Sequence, residues 1–372
     1  MPPADLDLAA EAERLMVVCN ACRYCEGHCA VFPAMELRLA FPHRDLRYLA
    51  NLCHGCGSCF HHCQYAPPHE FDVNVPKVFA ELRRQTYRRY AWPGFLARLF
   101  DRNALVAAVA TAASLVLLLL LAVAMAGGAA LVQPHGSGRF YDVIPHAVMA
   151  GFFGAVGLCL VAAIAAGFVR FWRDAGEGAL TSVRWPEVSR AIRDALSLHY
   201  LDGGGDGCTY PGEAPSLARR WFHHFTFYGF LLCFAATCAA TVYHYSGVEA
   251  PYAWWTPPVV LGTAGGIGLL VGPVGLLVLK RRSDREPNDR GQFGVDVSFA
   301  LLLLLTSATG LALLFLRATS AMGILLVVHL GFVLALFVML PYGKFIHAPY
   351  RLGALVRYSI ERARPPPLQP DE

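Results

Sequence analysis

The chain has 372 residues, of which 56% are hydrophobic and 16% are charged, and its formal net charge is +4. The charged residues are clustered between long apolar stretches, so the small positive excess fits loops beside a membrane and does not indicate a nucleic-acid-binding protein. The sequence has no G-x-G-x-x-G fingerprint opening a helix and no Walker sequence, so we expect no nucleotide or flavin site within it.

One cysteine spacing occurs twice near the N-terminus. Cys19, Cys22, Cys25 and Cys29 follow C-x2-C-x2-C-x3-C, and Cys53, Cys56, Cys59 and Cys63 repeat it. This is the bacterial spacing for [4Fe–4S] clusters, in which the fourth cysteine of each run binds the cluster of the other run. We therefore predict two clusters, one bound by Cys19, Cys22, Cys25 and Cys63, and one bound by Cys53, Cys56, Cys59 and Cys29.

Two other uses of cysteine fit this pattern less well. Zinc sites use pairs of C-x2-C rather than triplets. A disulfide framework would be expected in a secreted protein, and the acidic segment 1–18 does not resemble a signal peptide.

Six apolar stretches follow, each long enough for a membrane span of about 20 residues; a soluble core could explain one such stretch but not six. We place the spans near 105–127, 145–171, 221–243, 258–279, 299–316 and 322–345. The sequence thus predicts an all-α protein with a cytoplasmic ferredoxin-like domain at 1–90 and a six-span membrane domain at 91–372, with a cytoplasmic loop at 172–220. Glycines 151, 154 and 157 in the second span are expected to allow close helix packing.

Basic residues predict the orientation of these spans. Arginine and lysine are abundant before the first span, in every second loop and after the sixth span, whereas the alternate loops hold only Arg139 and Arg317. Because cytoplasmic loops are enriched in these residues, we expect the ferredoxin-like domain and the C-terminus to lie in the cytoplasm. Residues 185–201 are spaced as an amphipathic helix on the inner membrane surface.

Histidines within or at the ends of spans indicate a further cofactor, because such residues are costly in lipid. His329 and His347 are 18 residues apart, which at about 100° per residue returns to the same helix face. We expect His223 to face His347 and His244 to face His329, each pair binding one b-type haem, so that the chain holds one or two. His224 and His146 are alternative ligands, and the span-end histidines could instead serve only as interfacial groups.

Four sequence stretches carry a resemblance to a known family. They are CNACRYCEGHC at 19–29, LCHGCGSCFHHC at 52–63, GGGDGCTYP at 203–211 and RWFHHFTFYGF at 220–230. On these motifs the chain resembles the tricarballylate/citrate utilisation protein B family over nearly its full length. The resemblance implies a membrane partner of a separate FAD-dependent dehydrogenase, which it reoxidises through iron–sulfur clusters and haem.

Two further resemblances concern the architecture. The N-terminal part is similar to the all-helical two-cluster ferredoxin domain of succinate dehydrogenase. The last five spans resemble the haem-bearing gamma subunit of respiratory nitrate reductase, in which two helices supply four axial histidines.

The expected function is therefore that of an electron-transfer subunit in the bacterial inner membrane rather than a self-sufficient enzyme. Its partners would be the FAD-dependent dehydrogenase, membrane lipid and quinone. One alternative is a redox partner of a flavoprotein hydroxylase in cobalamin (corrin) biosynthesis, and another is a redox sensor.

Overall fold

A computed structural model describes residues 3–135 and 138–363, with side chains from Asp7 onward. Within these residues the chain is helical and forms no β-strand, apart from one isolated bridge between Cys208 and Ser216. The all-α prediction is confirmed. The helices are α1 (Pro3–Cys22), α2 (Val31–Glu36), α3 (His43–Leu52), α4 (Ser58–His61), α5 (Val75–Tyr90), α6 (Asn103–Ala126), α7 (His146–Ala175), α8 (Trp185–Leu196), α9 (Ala218–Tyr245), α10 (Pro257–Arg282), α11 (Phe293–Leu316), α12 (Met322–Met339) and α13 (His347–Ala363).

The five helices α1–α5 pack around a core at the N-terminal end of the chain. Helix α5 begins where the Asn74 side chain accepts a hydrogen bond from the Lys77 backbone N–H, with Pro76 in the first turn, where the missing N–H costs nothing. The side chains at the centre of this core are fully buried; they include Leu15, Met16, Phe32, Tyr48 and Phe79. This core fixes the helices and loops that carry the two cysteine runs.

The prediction of six long apolar helices is confirmed, since α6, α7, α9, α10, α11 and α12 are each long and apolar enough to cross a membrane. The sixth helix ends earlier than expected. We predicted that it reaches residue 345, but α12 ends at Met339 and a 3-10 turn follows over Leu340–Tyr342. Pro341 explains this difference, because proline has no N–H and cannot extend the helix.

Close helix packing occurs between α9 and α10. A Cβ on Gly265 would lie 2.8 Å from the backbone nitrogen of Cys233, so only glycine permits this approach. The expectation for glycines 151, 154 and 157 is wrong, because a Cβ on any of them would meet no atom within 4 Å. These glycines lie on α7, whose apolar window is only 11% buried.

Helix α13 was not predicted, and it connects the membrane helices to the N-terminal domain. Arg357 is 3% exposed. It donates hydrogen bonds to Glu361 (2.9 Å), to the Ala175 carbonyl (2.8 Å) and to Asp45, and it lies 4.1 Å from the centre of the Tyr48 ring. Helix α8 packs against α13 and ends at Leu196, five residues before the predicted end.

Replacing Arg357 by alanine should destabilise the protein by about 3 kcal/mol, because it leaves buried carboxylates with fewer partners. A matched control is Arg88→Ala, since Arg88 pairs with Asp101 and the two side chains are 47% and 40% exposed; we expect a loss of about 0.5 kcal/mol there. Thermal unfolding of purified protein in detergent measures both, and equal melting temperatures for the two variants would contradict the account.

The basic loops gather at the end of the bundle that carries the N-terminal domain. Asn74 donates to the carbonyl of Glu286 (2.9 Å), Arg84 pairs with Asp289 (2.9 Å), and Gln292 donates to the Ala80 carbonyl (2.7 Å). The loop after α10 is therefore packed on α5 and its N-terminal flank. Arg219, at the start of α9, donates to the carbonyl of Gly55 within the second cysteine run.

Candidate functional site

Five cysteines line a cavity of about 250 Å³ beside α1, and four of them form what we call the outer site. They are Cys19, Cys22, Cys25 and Cys63. Cys22 is exposed to solvent. Burial, with smaller effects from neighbouring thiolates, raises the pKa of Cys19 and of Cys25 to about 12, so metal binding at this site would release protons.

A second group of four cysteines forms the inner site, named for its deeper position. Cys29, Cys53, Cys56 and Cys59 line it. Cys53 and Cys56 are both buried. The structure thus brings the fourth cysteine of each run beside the triplet of the other run, although Cys59 also borders the outer cavity. The assignment of ligands to clusters remains a prediction.

Both donor sets suit an iron–sulfur cluster, because each offers four thiols. The outer cavity has room between its cysteines, whereas the inner cavity measures only about 10 Å³. A cluster there would therefore require the side chains that line the inner cavity to move apart. In the described part of the chain, no three cysteine, histidine or acidic side chains meet closely enough to bind a single metal ion.

The loop 202–209 covers the inner site, and this contact was not expected from the sequence. Gly57 has φ +85°, and a Cβ there would lie 2.5 Å from the Thr209 carbonyl oxygen, so the two backbones touch. Cys208 is fully buried, and its hydrogen bond to Cys56 lowers the pKa of the Cys56 thiol, which favours the thiolate. The signal available in the sequence was the cysteine that ends the glycine-rich run.

His223 and His347 meet below the inner site, as predicted for a haem-binding pair. Their ring centres are 6.2 Å apart, and the ring planes are inclined by 81°. A metal ion at about 2 Å from a nitrogen of each ring would separate the ring centres by roughly 6 Å, so this spacing fits a bis-histidine site. The assignment of these histidines as ligands remains a prediction.

The surroundings of His347 leave one ring nitrogen available. Its Nδ1 lies 2.5 Å from the Lys344 carbonyl oxygen, and a metal-binding histidine commonly donates its other N–H to such a carbonyl. Burial lowers the pKa of His347 well below its ordinary value, with a further effect from Arg351. The imidazole is therefore neutral, as ligation requires.

At the opposite end of the bundle, His244 contacts His146 rather than its predicted partner. The two rings are stacked, with centres 3.5 Å apart. His329 lies against α11, where its Nδ1 is 3.1 Å from the Thr306 carbonyl oxygen and Gly310 leaves space for the ring. The contact of His244 with His146 thus favours His146, the alternative ligand that the sequence left open. A haem-binding pair of His244 and His329 stays a prediction.

Comparisons with known proteins match both parts of the chain. The family model "Citrate utilization protein B Fer4-like domain" matches residues 12–89, and "Citrate utilization protein B" matches residues 100–368. A curated protein from Escherichia coli, "Citrate utilization protein B", is 52% identical over 357 residues, which cover 95% of this chain and 93% of that protein. No solved structure matches the chain.

Proposed function

The chain belongs to the citrate utilization protein B family, and from this premise we propose that it is a membrane-anchored electron-transfer protein that reoxidises a separate FAD-dependent dehydrogenase, with tricarballylate as the substrate of that enzyme. The electrons would pass to the quinone pool of the bacterial inner membrane. The N-terminal domain and the C-terminus would lie in the cytoplasm, where such a dehydrogenase would reach them.

The observation that carries this proposal is the order of the three sites. Cys22 of the outer site is exposed, the inner site is buried, and the pair His223–His347 lies where helices α9 and α13 begin. These positions lead from solvent towards the membrane helices. When bound, two [4Fe–4S] clusters and a b-type haem would each carry one electron at a time.

Contacts through two arginines connect the inner site to the histidine pair. Arg351 donates to the Cys53 carbonyl (2.6 Å), and Arg219 donates to the His54 carbonyl (3.2 Å). Each arginine is four residues from one of the histidines, and residues at this spacing share a helix face. The imidazoles are therefore held directly beneath the cysteine loop 53–56.

The surface beside the outer site supports its role as the entry point. Tyr24 borders the outer cavity and is 69% exposed. Leu39 is fully exposed, and the residue before it, Arg38, accepts a hydrogen bond from Asn20 at its carbonyl. Exposed apolar residues around a partly polar surface are typical of a docking site for a transient redox partner. The dehydrogenase would approach here.

The proposal predicts that membranes containing this chain reoxidise the reduced dehydrogenase anaerobically while a quinone analogue is reduced. Leu39→Asp should raise the concentration of dehydrogenase needed for half-maximal rate about tenfold or more, as expected for the loss of roughly 1.4 kcal/mol of binding. Leu180→Asp is the control, because Leu180 is also exposed but lies near α8. Stopped-flow absorbance of the flavin measures the rate.

Two results would contradict the proposal. One is an equal rate of flavin reoxidation with membranes that lack the chain. The other is reoxidation of the flavin without any reduction of the quinone analogue, which is what a redox sensor would give.

A further inference from the structure

Three arginines from three separate helices converge on the short loop that carries Cys53 and Cys56. Arg83 of α5 donates to the carbonyls of Ala50 (3.0 Å) and Cys53 (2.8 Å). Arg351 of α13 donates to those of Asn51 (3.2 Å) and Cys53 (2.6 Å), and Arg219 of α9 donates to those of His54 (3.2 Å) and Gly55. We call Arg83, Arg219 and Arg351 the arginine cradle.

The cradle arginines differ from other buried arginines in this protein. Arg38 and Arg357 both form ion pairs with Glu361 and Asp45. Among the described residues, none of the three cradle arginines has a carboxylate within 4 Å. Arg83 is only 6% exposed, and Arg219 and Arg351 are half-buried. Carbonyl oxygens satisfy their hydrogen bonds, but they do not neutralise three positive charges, and buried charge without a counter-charge is costly.

The missing negative charge is available at the inner site, which shares Cys53 and Cys56 with the loop that the cradle contacts. Four thiolates binding a [4Fe–4S] cluster give the assembly a net negative charge, and the addition of an electron increases that charge. Buried guanidinium groups therefore favour the reduced form more than the oxidised form, and they act through a medium that screens poorly.

Within the described part of the chain, the outer site has no comparable arrangement. The arginine that contacts its cysteine loop is Arg23, which donates to the Asn20 carbonyl (3.1 Å) but is exposed. Glu26 and Glu36 are close enough to interact with each other beside it. Water screens the charge of Arg23, and the acidic pair offsets it.

We infer that the arginine cradle is the counter-charge of the inner cluster and holds its reduction potential above that of the outer cluster. This inference rests on the proposed function, because it requires both clusters. The cradle then gives the relay a direction: an electron accepted at the exposed site is more stable at the buried one, next to His223 and His347. The three arginines act as positioning and tuning residues, and they do not bind iron themselves.

The test is a redox titration of the full-length protein in detergent under anaerobic conditions, followed by electron paramagnetic resonance. The wild-type protein should show two cluster waves. Arg219→Gln and Arg351→Gln should each shift the higher wave to a lower potential and leave the other wave in place. Arg219→Lys should retain most of the wild-type potential, because it keeps the charge.

The matched control is Arg88→Gln, because Arg88 lies on α5 like Arg83 but pairs with Asp101 and is 47% exposed; both waves should stay unchanged. If Arg219→Gln lost the inner cluster while Arg219→Lys retained it, that result would also support the inference. Unshifted waves in both glutamine variants, an equal shift of both clusters, or an inner cluster lost in Arg219→Lys as well would overturn it.

Failure of the proposed function can be distinguished from failure of this inference. Wild-type protein without iron and sulfide would overturn that proposal and the inference together, whereas intact clusters with unshifted potentials overturn the inference alone.

Discussion

Replacing Cys29 by alanine is expected to abolish the cluster of the inner site, although Cys29 belongs to the first cysteine run. In the structure Cys29 lies with Cys53, Cys56 and Cys59 rather than with its own triplet. The iron content should fall from about eight to about four atoms per chain, because one of two [4Fe–4S] clusters is lost. Electron paramagnetic resonance of the reduced protein measures the remaining cluster.

The identity of the lost signal decides whether the runs are crossed. Cys29→Ala should remove the same signal as Cys56→Ala and keep the signal that Cys22→Ala removes. Cys159→Ala serves as the control, since Cys159 is exposed on α7, away from both sites. If Cys29→Ala instead removed the signal that depends on Cys22, the crossed arrangement would be wrong.

The second large effect concerns haem. His347→Ala and His223→Ala should each remove a reduced b-type band from redox-difference spectra of purified protein, because each variant leaves the iron with one axial imidazole. The effect should be a loss of the band rather than a small shift, since the two ring centres are only 6.2 Å apart. His199→Ala is the control, because His199 is exposed on the turn after α8.

The same spectra test the opposite end of the bundle. A second haem bound by His244 and His329 would lose its band in His329→Ala and keep it in His146→Ala, and the stacked pair His146–His244 predicts the reverse. A band that stays unchanged in both His223→Ala and His347→Ala would contradict the haem proposal.

Local patterns were sufficient to identify the two cysteine runs and to predict the six long apolar helices. Both depend on residues close together in the sequence: a fixed spacing for the thiols and about 20 consecutive apolar residues for a span. The end of α12 was missed because the apolar stretch continues past Pro341, although the helix does not.

The parts that could not be predicted depend on contacts between distant segments. Helix α13 was hidden in a region whose arginines suggested only a cytoplasmic tail, while its Tyr350, Ala354 and Tyr358 repeat every four residues and are buried. The contact of Cys208 with Cys56 joins residues about 150 positions apart. Periodicity in the sequence cannot predict a contact between residues so far apart.

The anaerobic measurement of metal and sulfide in the purified wild-type protein tests the central claim most directly. Two clusters predict about eight iron atoms and about eight acid-labile sulfides per chain. Zinc in place of iron, with no labile sulfide, would contradict the claim that these eight cysteines make the protein an electron carrier.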